Sequence, residues 1–428
     1  MNDAMSEHWY IIADDFTGSG DSAVQFRTAD CPARLVISDS ALAEAACCRS
    51  ATVIDTDSRF LAPDQAYAKV LEVVRRLRAA GARLIFKKLD STLRGQISDE
   101  IAAVMDGAGY ECALVCPAAP RNARVVTAGF CFVDGEPIGS RDAMRDPFTP
   151  VIEPRIASHF QSRFQGKVEE IGLAVLRSGE CALREAIAEG RRRGTRIFVA
   201  DAESLDDLSR MAALKDEDGL LFAGSSGLAE ALAGVRREGP RPLMERVRPG
   251  SALFMVGSVT PTADEQCARL ASSGRATEIV VDGAAAAEDE GSELGRVRSL
   301  VAGAPRDKAT LIRTSPVDGS LSAPEARERG AAISRFMGAV ALAAARDRDI
   351  RFLFASGGDT AARIVLAFGA DYIEYFDEPL PGLPFGSFRS AALGRSLGFA
   401  SKSGGFGAPD ALVDVLSIAT RSERSERK

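Results

Sequence analysis

Histidine is almost missing: His8 and His159 are the only two in 428 residues. That scarcity excludes a histidine-rich zinc site and leaves a Ser-His-Asp triad without support. His8 falls in a tail-like start and His159 in "IASHFQSRF", which reads as an amphipathic helix, so neither is a catalytic candidate. A positive excess is missing too. Lys and Arg number 53 against 60 Asp and Glu, a net charge of -7, which argues against a broad nucleic-acid surface but leaves room for a local cationic pocket. No helix-turn-helix is convincing. The N-terminus lacks the apolar core of a signal peptide, and no uninterrupted apolar stretch has membrane-spanning length, so a cytoplasmic location is the expectation. Eight cysteines are present, but neither Cys47-Cys48 nor Cys112/Cys116 has a zinc-site or thioredoxin-like spacing. They are expected to be small, buried, reduced residues. No unit repeats at a fixed short period, which excludes a solenoid. Neither GxxxxGK[ST] nor a GxGxxG turn after the first strand occurs, so P-loop ATPase and ordinary dehydrogenase readings lose support.

What is present is an alternation of short apolar runs with helix-period stretches. "WYIIA", "RLVIS", "TVIDT", "RLIFKKLD" and "CALVCPAAP" are separated by "SGDSAVQFRTA", "ALAEAAC", "PDQAYAKVLEVVRRLRAAG" and "ISDEIAAVMDGAG". That spacing predicts βα units and a mostly parallel sheet, with ligand groups gathered at the strands' C-terminal ends. "VVTAGFCFVDGEPIG" interrupts it as a hairpin turning at "DGEP", and "RDAMRDPFTP" reads as a loop. The Pro/Gly-bearing run Val235 to Gly250 marks the boundary, giving domains 1-240 and 241-428. A second α/β series follows it; "DGAAAAEDEGSEL" reads as a surface loop entering a helix and "RSERSERK" as a charged tail.

Chemistry collects at three strand ends of the first half. "ADDFTGSGD" places Asp14, Asp15 and Asp21 around glycines that permit a tight turn, although Asp15, Thr17 or Ser19 could also simply cap a helix. "VIDTDSR" brings Asp55, Asp57, Ser58 and Arg59 to an edge. "IFKKLDSTLRG" brings Lys87, Lys88, Asp90, Ser91, Thr92 and Arg94, with Lys88 the lysine expected to face the mouth. Cations suited to a carboxylate, beside carboxylates suited to hydroxyls, favour a small polyhydroxylated acid. One aspartate could take a proton from an alcohol attacking phosphorus; spacing does not say which. The second half offers Gly257-Ser258, then Ser356-Gly357-Gly358-Asp359-Thr360, then Lys402 to Gly407 with Gly404 and Gly405. Each lies at a strand end before a helix pattern, a setting for phosphate. Close approach and positive φ are expected at Gly358.

In order, "ADDFTGSGDSAVQF", "DSR", "KKLDSTLRG", "CPAAPRNAR", "AGSSGLAEAL", "GSVTPTADEQ", "SGGDTAARIV" and "SKSGGFGAPDAL" resemble the four-carbon acid sugar kinase family over roughly Tyr10 to Ser417. The resemblance implies two mostly parallel-sheet α/β domains with the active site in the cleft between them, an acid-sugar-binding N-terminal domain and an ATP-binding C-terminal one. It implies phosphoryl transfer from ATP, with Mg²⁺, to the terminal hydroxyl of D-threonate, D-erythronate or a 3-oxo-tetronate. On this reading Asp14, Asp15 and Asp90 are catalytic candidates. Asp21, Asp57, Ser58, Arg59, Lys88, Ser91, Thr92 and Arg94 contact the acid. Gly257, Ser258, Ser356, Gly357, Gly358, Asp359, Thr360, Gly404 and Gly405 contact the nucleotide, and the metal ligands are unassigned. "GGDTA", "PGLPFG" and "SGGFG" stand where many 3-oxo-tetronate kinase-like members have "GGETS", "PGVPW" and "SGNFG", a lean toward threonate or erythronate. The rivals are a 3-oxo-tetronate kinase, a ligase or oxidoreductase on a similar acid, and a non-catalytic acid sensor. Partners are expected to be the acid and ATP/ADP, without nucleic acid or membrane; a homo-oligomer is admissible.

Overall fold

The structure, a computed structural model, describes residues 8–28, 31–38, 42, 50–140, 151, 153–234, 246–316 and 322–420. The "RDAMRDPFTP" loop, most of the "ALAEAAC" helix, Cys47-Cys48, most of the linker from Val235 and the "RSERSERK" tail lie outside these residues. The chain divides into two compact units, one holding Met1–Leu35 and Glu44–Pro240, the other Val36–Ala43 and Arg241–Lys428. The division at 240/241 thus has an exception: Val36–Ala43 groups with the second unit.

In the first unit, strands β1 (Trp9–Ala13), β2 (Ala33–Val36), β3 (Ala51–Asp55), β4 (Leu84–Lys88), β5 (Cys112–Cys116), β9 (Val168–Ile171), β10 (Ile197–Ala200) and β11 (Leu220–Gly224) lie in the order β2-β3-β1-β4-β11-β5-β10-β9. Every pairing from β3 to β9 is parallel. All five positions of β1, β5 and β11 are buried, so both faces are covered and the runs read as continuous apolar stretches. Helices α1 (Phe16–Ala23), α2 (Pro63–Ala79) and α3 (Ile97–Ala108) fill the crossovers. α2 shows how the sequence builds them: Pro63 opens it, Ala66, Val70, Val74 and Leu77 form its buried stripe, and Arg76 and Arg78 close it where the helix dipole favours cations.

The expected hairpin is instead a three-stranded meander, β6 (Arg124–Thr127), β7 (Phe130–Val133) and β8 (Glu136–Pro137). Asp134-Gly135 forms one turn, and a second, Ala128-Gly129, was not legible because alanine rarely adopts φ +53°. The Asp201 carboxylate holds it there, accepting the N–H groups of Ala128 and Gly129 at 2.9 Å each. "IASHFQSRF" is a 3₁₀ turn, Ile156–Phe160, running into a single α-turn, Gln161–Phe164, rather than one amphipathic helix.

The second unit contains β12 (Ala252–Val256), β13 (Ala276–Val281), β14 (Ala309–Thr314), β15 (Phe352–Ser356), β16 (Tyr372–Leu380), β17 (Leu383–Ser390) and β18 (Arg395–Lys402), ordered β13-β14-β12-β15-β18-β17-β16. The first five are parallel; β17 is antiparallel to both its neighbours. This antiparallel edge is absent from the sequence reading, since bulges near Tyr375–Leu380 break the two-residue alternation that would reveal it. Its helices include α4 (Pro261–Ser272), α5 (Gly283–Glu288), α6 (Glu290–Gly303), α7 (Ala323–Asp347), α8 (Gly358–Ala367) and α9 (Ala411–Thr420). "DGAAAAEDEGSEL" is helical almost throughout rather than a loop, because Asp282 caps α5 and Asp289 caps α6.

Cys112, Cys116, Cys131, Cys181 and Cys267 are free thiols, and all but Cys181 are buried. Cys31 corrects the expectation of uniformly reduced cysteines: it is disulfide-bonded. Among the described residues no helix is long and apolar enough to cross a membrane.

Gly227, in the helix Ser226–Ala233 that follows β11, packs directly on the segment leaving β5. A Cβ there would lie 2.4 Å from the Ala118 carbonyl oxygen and 2.9 Å from the Ala119 Cα, both backbone atoms that cannot swing aside. Gly227→Ala should therefore destabilise the protein by about 1–3 kcal/mol, the usual cost of overpacking, read as a lower urea midpoint. An unchanged midpoint would show that the contact relaxes without cost.

Candidate functional site

In the first unit the sheet order β3-β1-β4 brings together the three strand ends read from sequence, with Ala13 paired to Asp55 and Ile12 to Lys87. The connection after β3 folds onto the connection after β1: the N–H groups of Ser58 and Arg59 both donate to the Asp14 carbonyl, at 3.1 and 3.2 Å. That places the Arg59 guanidinium among three carboxylates. Its Nε donates to Asp14 Oδ2 at 2.7 Å and its Nη2 to Asp14 Oδ1 at 3.0 Å and Asp15 Oδ1 at 2.7 Å; Nη2 also lies 3.9 Å from Asp90 Oδ1. Arg59 and Asp14 are almost wholly buried.

Asp15 does two things at once. It caps α1, accepting from Gly18 N–H at 3.1 Å and Thr17 Oγ1 at 2.6 Å, while holding Arg59. Gly18 leaves room for both side chains where they stand, since a Cβ would fall 2.5 Å from Asp15 Oδ1 and 3.0 Å from Lys88 Nζ. Lys88 therefore points toward the start of α1, its ammonium donating to the Leu89 carbonyl at 2.6 Å. Asp90 accepts a two-pronged pair from Arg94, Nε to Oδ2 at 2.8 Å and Nη2 to Oδ1 at 3.0 Å, and also accepts from Thr92. Arg94 is the most open cation of the group, its side chain 27% exposed against 7% for Arg59.

Not every candidate joins this network. Asp57, at φ +43°, is exposed, its N–H donating to Asp55. Ser58 turns inward, donating to Glu100 Oε1 at 2.6 Å. Asp21 lies half-buried further along α1, and Ser91 is met through its carbonyl, which accepts from the Cys131 thiol.

Glu100 was missed. It forms a 2.7 Å pair with Lys87 in which the side chains are 2% and 0% exposed, while Lys87 also donates to the Ile12 and Lys88 carbonyls. Its signal was a carboxylate on the apolar stripe of α3, beside Ile97, Ile101 and Val104. Consecutive lysines of β4 thus serve opposite faces.

Burial works against the charge on Asp90, yet Arg94 and Arg59 outweigh it and hold the carboxyl well below its usual range. Asp14 is likewise lowered, burial being overcome by Arg59. Asp55 goes the other way: burial, reinforced by Asp15, Asp57 and Asp14, pushes it well above the usual value despite the N–H donated by Asp57.

In the second unit β12, β15 and β18 are adjacent and parallel, with Val256 paired to Ser356 and Ser356 to Lys402. Three loops leave one edge side by side. Gly257 N–H donates to the Ser356 carbonyl at 3.1 Å, and Gly357 N–H to the Lys402 carbonyl at 3.0 Å. The loops touch because side chains are missing: a Cβ on Gly257 would lie 2.0 Å from Thr360 Oγ1, and one on Gly404 2.1 Å from Ser258 Oγ. Thr260 caps α4 and donates to the Gly404 carbonyl, at 3.3 Å. The positive φ belongs to Gly357, at +102°, not to Gly358, which is already the first residue of α8. Asp359 is exposed in that first turn, and Gly405 is exposed with nothing within 4 Å of where its Cβ would stand.

Two polar groups are buried beneath these loops. Ser356 Oγ has no hydrogen-bond partner among the described residues. Lys402, 1% exposed, donates to the Ser403 and Gly404 carbonyls at 3.1 and 2.9 Å, and burial pushes its ammonium down to about 8. An orphaned hydroxyl, a lysine and a glycine-lined edge fit a phosphate-bearing nucleotide. Among the described residues no cluster of three His, Cys, Asp or Glu side chains could hold a metal on its own.

Residues 9–232 match the family model of a sugar-binding N-terminal domain, and residues 253–412 that of a nucleotide-binding C-terminal domain. The chain belongs to the four-carbon acid sugar kinase family. Among the family's relatives it is 33% identical to a D-threonate kinase of Bordetella bronchiseptica, covering 94% of this chain and 95% of that one. It is 31% identical to a D-threonate kinase of Salmonella typhimurium, covering 95% and 97%. A 3-oxo-tetronate kinase of Pseudomonas fluorescens is 29% identical over 95% of both. A crystal structure from Salmonella typhimurium LT2, provisionally described as a tRNA synthase, superposes with a TM-score of 0.78 at 22% identity, covering 95% of this chain and 98% of that one; it shows the shared fold. The nucleotide-binding domain and the kinase relatives support ATP-dependent catalysis on a small sugar acid.

The carboxyls give a pH-dependent prediction. Because the folded-state value of Asp55 is raised, its protonated form favours folding below the ordinary value of about 3.9, and that contribution is lost as pH rises through the folded value. Asp55→Asn removes the buried charge while keeping an oxygen to accept the Asp57 N–H. It should raise the denaturation midpoint at pH 7 and leave it unchanged near pH 3. A gain of equal size at both pH values would trace the effect to packing instead.

Proposed function

We propose that this protein is an ATP-dependent kinase that phosphorylates the terminal 4-hydroxyl of D-threonate or D-erythronate. The observation that carries the reading is the Asp90–Arg94 pair at the open side of a buried ion network, on a domain matched as sugar-binding. Arg59 and Asp14 are engaged with each other and buried, so they are organisers that fix the strand ends. Arg94 is the cation with both a planar fork and access to solvent, suited to a substrate carboxylate. Asp15 and Asp90 are the network's more accessible carboxylates and the ones to meet the acceptor hydroxyl. A low pKa is no obstacle, because phosphoryl transfer asks mainly for position and charge stabilisation. Lys88 supplies a second positive charge near the start of α1.

On the second unit, Ser258, Ser356, the start of α8, Gly404 and Gly405 are the groups for the triphosphate, with Lys402 beneath them. ATP supplies the transferred phosphoryl group, and Mg²⁺ would arrive on its phosphates rather than in a preformed protein cage. The two sites must meet during turnover. "GGDTA" and "PGLPFG", which differ from the loops of many 3-oxo-tetronate kinase-like members, support threonate or erythronate over the 3-oxo acid. The deciding assay is ADP release and product mass with ATP, Mg²⁺ and each four-carbon acid. Turnover restricted to a 3-oxo-tetronate would replace the substrate, and acid binding without ADP release would make the protein a sensor.

Two variants locate the sites. Arg94→Ala should weaken acid binding by roughly 10–100-fold in calorimetry, the loss of a charged hydrogen bond of about 1.5–3 kcal/mol, with ATP affinity unchanged. Unaltered acid affinity in a folded variant would return Arg94 to a purely structural pair.

Gly405→Val tests the nucleotide loops without straining the backbone, since the position is exposed, open and outside the positive-φ set. A phosphate approaching there would be displaced, raising the KM for ATP about 10-fold or more while leaving melting and acid affinity intact. An unchanged KM would move the nucleotide away from this loop.

A further inference from the structure

At the opposite end of the second unit's strands lies a cationic concavity. The residues just before β12, β14 and β15, together with the first residue of β18, line two adjoining hollows of about 490 and 510 Å³ that share Arg306, Arg348 and Asp349. Arg246, Arg248 and Arg351 join from one hollow and Arg395 from the other. Elsewhere arginines of this chain are typically met by carboxylates, as Arg177 is by Glu203 and Asp207, and Arg313 by Glu278. Here they are not. Arg246, Arg248 and Arg306 form no ion pair with any described residue. Asp349 serves Arg351 at 2.7 Å and Arg395 at 3.5 Å, and Asp347, the other lining carboxylate, is taken by Arg298 at 2.9 Å.

The arrangement is built, not a loose surface patch. Arg348 is 6% exposed and fixed by main chain, donating to the carbonyls of Val301, Ala304 and Pro305 and to Thr310 Oγ1, so it closes the end of α6. A Cβ on Gly250 would fall 1.7 Å from the Arg306 carbonyl oxygen, so glycine alone lets the turn before β12 seat against that segment. Arg351 N–H donates to the Ser251 carbonyl at 2.8 Å, locking the start of β15 to the same turn. Uncompensated charge is also felt within the pocket: burial and then Arg306 lower the Arg348 guanidinium, and burial and then Arg351 lower that of Arg395.

We propose that this concavity is a second anion site, separate from the glycine loops, which takes a small phosphorylated anion carrying two or more negative charges. Arginines with planar donor forks match phosphate oxygens two at a time, and several unpaired ones together need more than a single charge to balance them. The chain concentrates these cations in one hollow although its net charge is -7. β12, β15 and β18 run from this pocket to the nucleotide loops, so an anion here is about 17 Å from the other strand ends and cannot be the same ligand bound once.

Inorganic pyrophosphate is the probe, titrated calorimetrically into wild type, the double variant Arg248→Glu/Arg306→Glu, and Gly405→Val. Both arginines are exposed and pair with no carboxylate among the described residues, so the double variant should melt as wild type does. Pyrophosphate affinity should fall about 10-fold or more in the double variant and persist in Gly405→Val. Sulfate should bind more weakly than pyrophosphate to wild type, in keeping with its lower charge. Failure of wild type to bind pyrophosphate, or equal affinity in wild type and the arginine variant, overturns the site. Loss in Gly405→Val alone would also overturn it by placing the anion at the glycine loops. None of these results depends on which acid the enzyme uses.

Discussion

The first unit's functional edge depends on one buried guanidinium. Removing Arg59 from water is unfavourable unless its donors are met, and two carboxylates at hydrogen-bond distance, with a third 3.9 Å away, meet them. The consequence is geometric. Asp14 and Asp15 leave β1, Arg59 follows β3 and Asp90 follows β4, so one side chain fixes three consecutive strand ends. Gly95, at φ +92°, belongs to the same constraint, because a Cβ there would press to 3.0 Å from Asp14 Oδ2. β4 then carries a second buried charge on its other face, where Lys87 and Glu100 satisfy each other and Ser58. The strand that presents Lys88 to the open side is thereby anchored from below.

The second unit achieves a comparable convergence by a different means. Its loops are drawn together by backbone hydrogen bonds and by side chains that are not there, Gly257 against Thr360 and Gly404 against Ser258. Gln266 completes this from α4, its amide donating to the carbonyls of Phe406, Gly407 and Ala408. A site of this kind offers N–H groups, hydroxyls and one buried lysine, which suits phosphate oxygens more than a sugar's hydroxyl pattern. The division of labour between the two family domains is thus visible in the kind of force that shapes each edge.

This difference also explains what the sequence disclosed. Strand-and-helix alternation and the motif-bearing strand ends were legible, because continuous apolar runs and glycine clusters are local signals. Lys88 could be separated from Lys87 by the two-residue period of a strand. Pairing was not legible: nothing in "DSR" says that Ser58 turns to Glu100 while Arg59 turns to Asp14, since those partners lie 42 and 45 residues away. Asp57 looked equivalent to its neighbours, yet a left-handed backbone leaves it outside. Gly357 and Gly358 differ only in which precedes the helix, and φ is set by where β15 must end. The antiparallel β16–β17 edge escaped because bulges hide its alternation, and Ala128's turn because its stabilising carboxylate, Asp201, is 73 residues distant.

Charge accounting separates the regions further. Around Arg59 every described cation faces a carboxylate or a carbonyl, so an acid entering there would have to replace an existing partner. Affinity is then a difference between two ion pairs, which discriminates by geometry more than by charge. If a substrate carboxylate takes Arg94, Asp90 gives up its two-pronged partner, and its charge is then left to Arg59, Lys88 and a hydroxyl donated by the substrate. The arginine hollow under β12, β15 and β18 has the opposite accounting. Its guanidiniums outnumber the carboxylates left to meet them, so an anion entering it displaces only water and relieves repulsion. An acid bound by the first arrangement would be selected by geometry, and an anion bound by the second would be selected by its charge.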